Sequence, residues 1–159
     1  LWPSLFLTAI ACLILGMEVP TTAAYVICVS VAGPALIQLG LDPIQAHLFV
    51  FWFALLSTIT PPVCGAVFIA AGMINENWLK VALTSMALGV GLYLIPLALI
   101  ANPEIIRLES NPLAALITFV QLAVGLSVVS FGLIGYKSSI SKFTAIGLGI
   151  LIIFGRLVF

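Results

Sequence analysis

The residues most able to do chemistry in this chain of 159 residues form a short run, Ser57–Pro62, within an otherwise apolar stretch. Two adjacent prolines, Pro61 and Pro62, lack backbone N–H groups and clash with the preceding turn, so no continuous helix can pass through them. Carbonyl groups near residues 57 and 58 then lose their helical donors. The hydroxyl oxygens of the run are those of Ser57, Thr58 and Thr60. Uncharged oxygens suit Na⁺, and interrupted helices hold coupling ions in many transporters.

A second interruption, Gly16–Thr22, lies earlier in the chain and also combines glycine, proline and hydroxyl residues. Gly16 permits backbone torsions that other residues resist, and Pro20 is suited to open the next helix. Thr21 and Thr22 place hydroxyls in the first turn of that helix. Backbone N–H groups there can donate hydrogen bonds to a carboxylate. The segment predicts an anion-binding helix start. The alternative is an ordinary turn at the membrane surface, capped by threonine.

The acid of the apolar region, Glu18, has two interpretations. At membrane depth it would bind a cation or carry a proton, because ionisable groups there are costly and usually functional. Near the membrane surface it would simply be hydrated. The predicted coupling ion is therefore Na⁺, with H⁺ as the alternative, and no other cofactor is expected.

The composition places both interruptions in a membrane. Hydrophobic residues make up 64% of the chain and charged residues 6%, whereas soluble domains average roughly 45–50% and 25%. The apolar stretches are continuous and as long as helices, unlike the alternating strands of a β-barrel. The predicted fold class is an all-α integral membrane protein. A net charge of zero argues against nucleic-acid binding.

Apolar runs and their interruptions predict five elements. A re-entrant helical hairpin is predicted over 1–38 with its tip at 16–22, although two thin crossings would also fit. A broken transmembrane helix follows over 44–74, interrupted at 58–62. Three more transmembrane helices are predicted over 78–100, 112–135 and 143–159, the last incomplete. Because the chain begins and ends inside apolar runs, we expect it to be a fragment of a longer protein.

The turns between these elements carry capping and orientation signals. Asp42-Pro43 and Asn111-Pro112 each place a good N-cap before a proline at the first helical position. Turns on one predicted side of the membrane carry three lysines, and the opposite side carries only Arg107. The positive-inside rule therefore places the lysine-bearing turns in the cytoplasm. These lysines are Lys80, Lys137 and Lys142.

Three classes of protein can be compared with these features. A transporter would use both interruptions as binding sites. A structural or assembly helix bundle would use its prolines only to kink packed helices, with neighbouring groups satisfying the carbonyls. A membrane-embedded enzyme would need buried acids, histidines or a nucleophile with its base, and the sequence offers no such set. The lone His47 is expected to be hydrated or locally hydrogen-bonded. The sequence favours the transporter.

The two interruptions, in this order and at this spacing, resemble the large membrane subunit of TRAP (tripartite ATP-independent periplasmic) transporters. The segments that carry the likeness are Gly16–Tyr25, Gly33–Leu36, Ala46–Phe51, Ser57–Val63, Ala70–Met73 and Asn102-Pro103. They are most similar to fused permeases of the TAXI branch. Matching segments are closely spaced over residues 16–103. Beyond residue 103 only the hydropathy pattern is similar. One departure is Cys64, where many relatives have glycine or another small residue.

This resemblance implies an elevator-type importer built from two inverted repeats, each a re-entrant hairpin followed by a broken helix. The chain would hold the second repeat, whose two parts face each other around Na⁺ and a small carboxylate. The N-terminal repeat and the small-subunit portion would be missing. A periplasmic substrate-binding protein would deliver the substrate to the inner membrane of a bacterial or archaeal cell. The expected site residues are Gly16, Glu18, Pro20, Thr21, Thr22, Ser57, Thr58, Thr60, Pro61 and Pro62.

Overall fold

The computed structural model describes residues 1–17, 19–134 and 139–155, and every regular element in these ranges is helical. A short 3-10 turn, Pro103–Ile105, joins two of the α-helices. The α-helices are α1 (Trp2–Gly16), α2 (Thr21–Gln38), α3 (Pro43–Leu56), α4 (Gly65–Ile74), α5 (Trp78–Leu88), α6 (Val90–Ala101), α7 (Pro112–Ile134) and α8 (Ser139–Phe154). The predicted all-α class is therefore confirmed.

Helix length and composition agree with a membrane protein. Among the described residues, the helices at Thr21–Gln38 and Pro112–Leu133 are long and apolar enough to cross a bilayer. A third span is present if α5 and α6 are counted together. The remaining apolar helices are shorter. In particular, α1 has 15 residues, or about 22 Å at 1.5 Å per residue, which is less than the thickness of the hydrocarbon core.

The chain divides into two compact units, residues 1–86 and 87–159. In the first unit, α1, α2 and α3 pack against one another in all three pairings. Their shared core mixes small residues with large apolar side chains, and small residues let helices in a membrane approach closely. Buried residues of these helices include Leu5, Ala9, Cys12, Ala24, Cys28, Leu36, Phe49, Val50 and Phe53.

The turn before α3 has the capping that the sequence predicts. Asp42 is the N-cap, and its carboxylate accepts a hydrogen bond from the backbone N–H of Ile44 at 3.2 Å. The side chain of Gln45 in return accepts from the backbone N–H of Asp42 at 3.2 Å. Gly40 has a φ of 97°, which only glycine adopts without strain. The start of α3 is therefore stabilised by bonds between neighbouring residues.

Three predicted helices have different bounds in the structure. The helix predicted over 44–74 is α3 and α4, and the segment between them, 57–64, is longer than the predicted interruption. The helix predicted over 78–100 is divided at Gly89, where glycine weakens the helix. The helix predicted over 143–159 begins instead at Ser139, so Lys142 lies in α8 and not in a turn.

In the second unit, α6, α7 and α8 surround a core formed by Ala98, Leu122, Val129 and Ile153. Glycines bring α7 and α8 close together, since the surfaces of Gly125 and Gly132 lie against α8. Ser127, a small residue of α7, is exposed. Lys137, which was predicted to lie in a turn, lies outside the described residues.

Candidate functional site

The backbone directly after α3 forms a tighter turn before the helical path ends. After Leu56, three successive backbone N–H groups, those of Thr58, Ile59 and Thr60, donate to the carbonyl three residues earlier, at 3.2, 3.2 and 3.4 Å. Such bonds replace the i to i−4 pattern of an α-helix. The chain then passes through Pro61 and Pro62, which are joined by a cis peptide bond. The interruption therefore begins at Ser57.

The prolines leave a carbonyl oxygen of the interruption without a helical donor. In a continuous helix the N–H groups of residues 61 and 62 would donate to the carbonyls of Ser57 and Thr58. The Ser57 carbonyl instead accepts from Thr60 N–H. Of the residues that the structure describes, none donates a backbone N–H to the carbonyl of Thr58. A carbonyl of this kind can serve as a ligand for a cation.

The three predicted hydroxyls all donate to carbonyls of the preceding turn of α3. Ser57 Oγ donates to the Ala54 carbonyl at 2.6 Å, Thr58 Oγ1 to the Leu55 carbonyl at 2.8 Å, and Thr60 Oγ1 to the Leu56 carbonyl at 2.7 Å. Each donor proton is thereby directed into the helix. A hydroxyl oxygen that donates its proton can still accept a hydrogen bond or coordinate a cation through its lone pairs.

The two interruptions meet at Gly16 and Ser57. A Cβ atom added to Gly16 would lie 2.5 Å from Ser57 Oγ, 2.8 Å from Ser57 Cβ and 3.3 Å from the Ala54 carbonyl oxygen. Both residues are buried. Gly16 is the last residue of α1, so its role is to make space, whereas the sequence predicted an unusual torsion. The hairpin tip therefore begins in direct contact with the end of α3.

The rest of the hairpin tip forms the start of α2. Pro20 is the N-cap of this helix, with φ −54° and ψ 143°, and its ring carries no group that could cap the first N–H groups. Thr21 is half-buried and Thr22 is exposed in the first turn. Among the described residues, no hydrogen bond joins either threonine to Thr58. Glu18 lies outside the described residues.

A hydrogen bond that the sequence did not predict ties the returning arm of the hairpin to the broken helix. The hydroxyl of Tyr25 on α2 lies 2.8 Å from Nδ1 of His47 on α3. The Tyr25 ring also makes an edge contact with Phe51, with ring centroids 5.7 Å apart. The residues are far apart in sequence, so only the packing of α2 on α3 could reveal the pair. The available signal was His47 alone, for which the sequence left hydration or a local hydrogen bond open.

The chemistry offered by the two interruptions is that of binding. Their described polar side chains are hydroxyls, and their backbone offers carbonyl oxygens and the first N–H groups of α2 and α4. Within the described ranges, no group of three or more His, Cys, Asp and Glu residues could hold a metal ion. The cysteines Cys12, Cys28 and Cys64 are free and buried. The hydroxyl and carbonyl oxygens therefore suit a small cation, and the backbone N–H groups suit an anion.

Comparison with known families gives one match. The model of the family described as "Tripartite ATP-independent periplasmic transporter, DctM component" matches residues 2–114. This range includes both interruptions and all the predicted site residues, and it confirms the resemblance to TRAP permeases. The finer assignment to the TAXI branch stays a prediction. Comparisons with curated proteins and with solved structures gave no match.

Proposed function

We propose that this chain, which belongs to the DctM component family of tripartite ATP-independent periplasmic transporters, forms the ion and substrate site of a secondary-active importer. The observation that carries the proposal is the contact between Gly16 and Ser57. It joins the end of α1 to the end of α3, so the two interruptions in the apolar helices form one region. In a helix bundle whose prolines only kink packed helices, neighbouring groups would satisfy the freed carbonyls, whereas the Thr58 carbonyl has no backbone donor among the described residues.

The cation of this importer is Na⁺ in our proposal. Its ligands would be oxygens of Ser57, Thr58 and Thr60, supplied by their hydroxyls and by carbonyls of the interruption. These groups carry no formal charge, which suits a monovalent cation. The C-terminal end of α3 also carries a partial negative charge that favours a cation. The alternative, proton coupling through Glu18, would leave the hydroxyls of the interruption without a role in coupling.

The substrate of this importer is a small carboxylate. The N-terminal ends of α2 and α4 both follow an interruption, and each presents backbone N–H groups that have no partner within their helix. The N-cap residues of these helices, Pro20 and Cys64, make no side-chain capping bond. Two uncapped helix starts with partial positive charge favour an anion beside the cation.

The complete transporter would contain more than this chain. We propose that a first inverted repeat, a small-subunit portion and a periplasmic substrate-binding protein complete it in the inner membrane. The hairpin α1–α2 would be re-entrant, with the short α1 as one arm and α2, which is long enough to cross a bilayer, as the other. Because α1, α2 and α3 pack on one another, they would move together in an elevator-type transport cycle.

The test of this function is Thr60→Val in the full-length protein, with uptake of a labelled dicarboxylate into proteoliposomes driven by a Na⁺ gradient. Valine keeps the shape of threonine and removes the oxygen. We expect the Na⁺ concentration for half-maximal uptake to rise by about tenfold, equivalent to ~1.4 kcal/mol of binding free energy. The matched control is Thr84→Val on α5, because its hydroxyl also donates to a carbonyl of the preceding turn, that of Lys80, at 2.8 Å.

Three outcomes would count against the proposal. Unchanged Na⁺-dependent uptake in Thr60→Val, at normal expression, would favour the structural helix bundle. Uptake that a proton gradient drives equally well without Na⁺ would favour coupling through Glu18. An equal loss in Thr60→Val and Thr84→Val would show that any change to such a hydroxyl disturbs the fold, and it would remove the support for a site at the interruption.

A further inference from the structure

Two cysteine side chains from different helices lie together in the unit formed by residues 1–86. Cys12 lies on α1 and Cys28 on α2, and both are free. Their exposed fractions are 1% and 2%, and their thiols are close enough to hydrogen-bond to each other. The packing of α1 on α2 therefore forms a thiol pair between two helices.

An apolar groove between α1 and α2 leads to this pair. Both cysteines line it, and its volume is about 260 Å³. Leu7 on α1 and Val31 on α2 also line the groove, and they are 71% and 73% exposed. Apart from the thiols, the polar side chain among its described lining residues is that of Thr8. A ligand that reaches the thiols by this route must therefore be small and must pass apolar side chains without a net charge.

Thiol pairs bind metal ions as thiolates, and the apolar surroundings restrict which ion this pair can hold. Thiolates are soft ligands and select soft ions. A net charge is costly away from water, and two thiolates carry two negative charges. A divalent ion leaves the complex neutral, whereas a monovalent ion such as Cu⁺ leaves a negative charge. The site therefore favours a soft divalent ion.

The number of ligands restricts the ion further. Zn²⁺ is divalent, but it takes four ligands, of which even a catalytic site supplies three from the protein. Across the described ranges, the pair has no third His, Cys, Asp or Glu with which to form such a site. Hg²⁺ is soft and divalent, and it is stable with two thiolates in a line. It therefore matches the charge, the softness and the number of the ligands.

We propose that Cys12 and Cys28 form a two-coordinate site for Hg²⁺, which bridges α1 and α2. The ion arrives as HgCl₂, a neutral molecule that can pass the apolar groove. Two S–H and two Hg–Cl bonds break, two Hg–S bonds form, and two H⁺ and two Cl⁻ are released, with no change of oxidation state. With metal–sulfur bonds of about 2.3 Å, as for Zn²⁺, a linear complex separates the sulfur atoms by roughly 4.6 Å. Thiols in hydrogen-bonding contact therefore need to move apart only slightly. The site is independent of the proposed transport function, because neither cysteine belongs to the interruptions.

The experiment counts the mercury bound per chain after purified full-length protein is treated with HgCl₂ and then washed with excess glutathione. A monothiol removes an ion held by one cysteine, whereas two thiolates on one scaffold resist this exchange because the second binding step is intramolecular. We expect Cys12→Ala and Cys28→Ala each to retain one ion fewer than the unchanged protein. The double variant should also retain one ion fewer and not two, since both residues share a single ion.

The matched control is Cys64→Ala, since Cys64 is also free and buried and does not line the groove. This variant should retain as much mercury as the unchanged protein. Full retention in Cys12→Ala or Cys28→Ala would overturn the proposal, as would a double variant that loses two ions. An equal loss in Cys64→Ala would show that burial alone retains the ion, and it would overturn the proposal too. If an alanine variant fails to fold, serine at the same position decides, because it removes the sulfur and nearly keeps the size of the side chain.

Discussion

At the residue scale, the contact of Gly16 with Ser57 depends on the absence of a side chain. Rotation of the Ser57 side chain about its Cα–Cβ bond would relieve a clash with Oγ, but it would break the bond to the Ala54 carbonyl. The Cβ of Ser57, at 2.8 Å from the added atom, cannot move without the backbone. A larger residue at position 16 therefore has to push α1 away from the interruption.

The first prediction concerns this contact. Gly16→Ala should destabilise the full-length protein by about 1–3 kcal/mol, as overpacking of buried positions does, and should reduce Na⁺-driven uptake. Thermal unfolding and uptake in proteoliposomes measure the two effects. Gly72→Ala is the control, because a Cβ atom there meets nothing within 4 Å.

A second-site change tests whether the loss comes from this pair of residues. In Gly16→Ala combined with Ser57→Gly, both atoms that cause the clash are gone, so stability should recover relative to Gly16→Ala alone. Uptake should stay low, since the Ser57 hydroxyl is a proposed ligand. A stability loss that Ser57→Gly does not relieve would mean that Gly16 is needed for another reason.

At the element scale, glycines determine how closely α7 and α8 approach. A Cβ atom added to Gly149 would lie 2.5 Å from Val129 Cγ2 and 2.8 Å from the carbonyl oxygen of Gly125. Part of this contact is with backbone, which no rotamer change can move. Gly147, on the same helix, has nothing within 4 Å of an added Cβ atom. A Cβ atom would therefore clash with α7 at Gly149 and fit without a clash at Gly147.

This difference gives the prediction at the element scale. Gly149→Ala should lower the thermal unfolding midpoint, at a cost of about 1–3 kcal/mol, because α7 and α8 must separate. Gly147→Ala should leave the midpoint unchanged or raise it slightly, since alanine favours a helix by up to ~1 kcal/mol over glycine. Equal effects of the two variants would argue against close packing of these helices through Gly149.

Local signals in the sequence predicted much of the helical structure. Asp42-Pro43 and Asn111-Pro112 mark the starts of α3 and α7, because capping needs only neighbouring residues. The division at Gly89 was missed, since a glycine within an apolar run is common in membrane helices. The early start of α8 was missed because serine and lysine before an apolar run looked like a turn.

The contacts between elements were harder to predict. Prolines and hydroxyls in Ser57–Pro62 identified the interruption, since they act on their own backbone. The partner of His47 and the cross-helix bond from Asn102 to the Ile153 carbonyl depend on residues distant in sequence. No periodicity or spacing contains that information. The sequence therefore located the candidate site, and the structure added the contact between its two parts.

At the scale of the whole molecule, the family match and the candidate site coincide. The match covers residues 2–114, which include α1–α6 and only the first residues of α7. Both interruptions lie within it, in the compact unit formed by residues 1–86. Most of α7 and all of α8 lie beyond it. This division places the proposed transport chemistry in the part of the chain that the family shares.

The most direct test of the central claim is the equilibrium binding of radiolabelled Na⁺ to purified full-length protein. We predict that Gly16→Ala and Thr60→Val each weaken binding by about tenfold or more, whereas Gly72→Ala and Thr84→Val do not. Equal Na⁺ affinity in all four variants would contradict the claim that the two interruptions form one ion site.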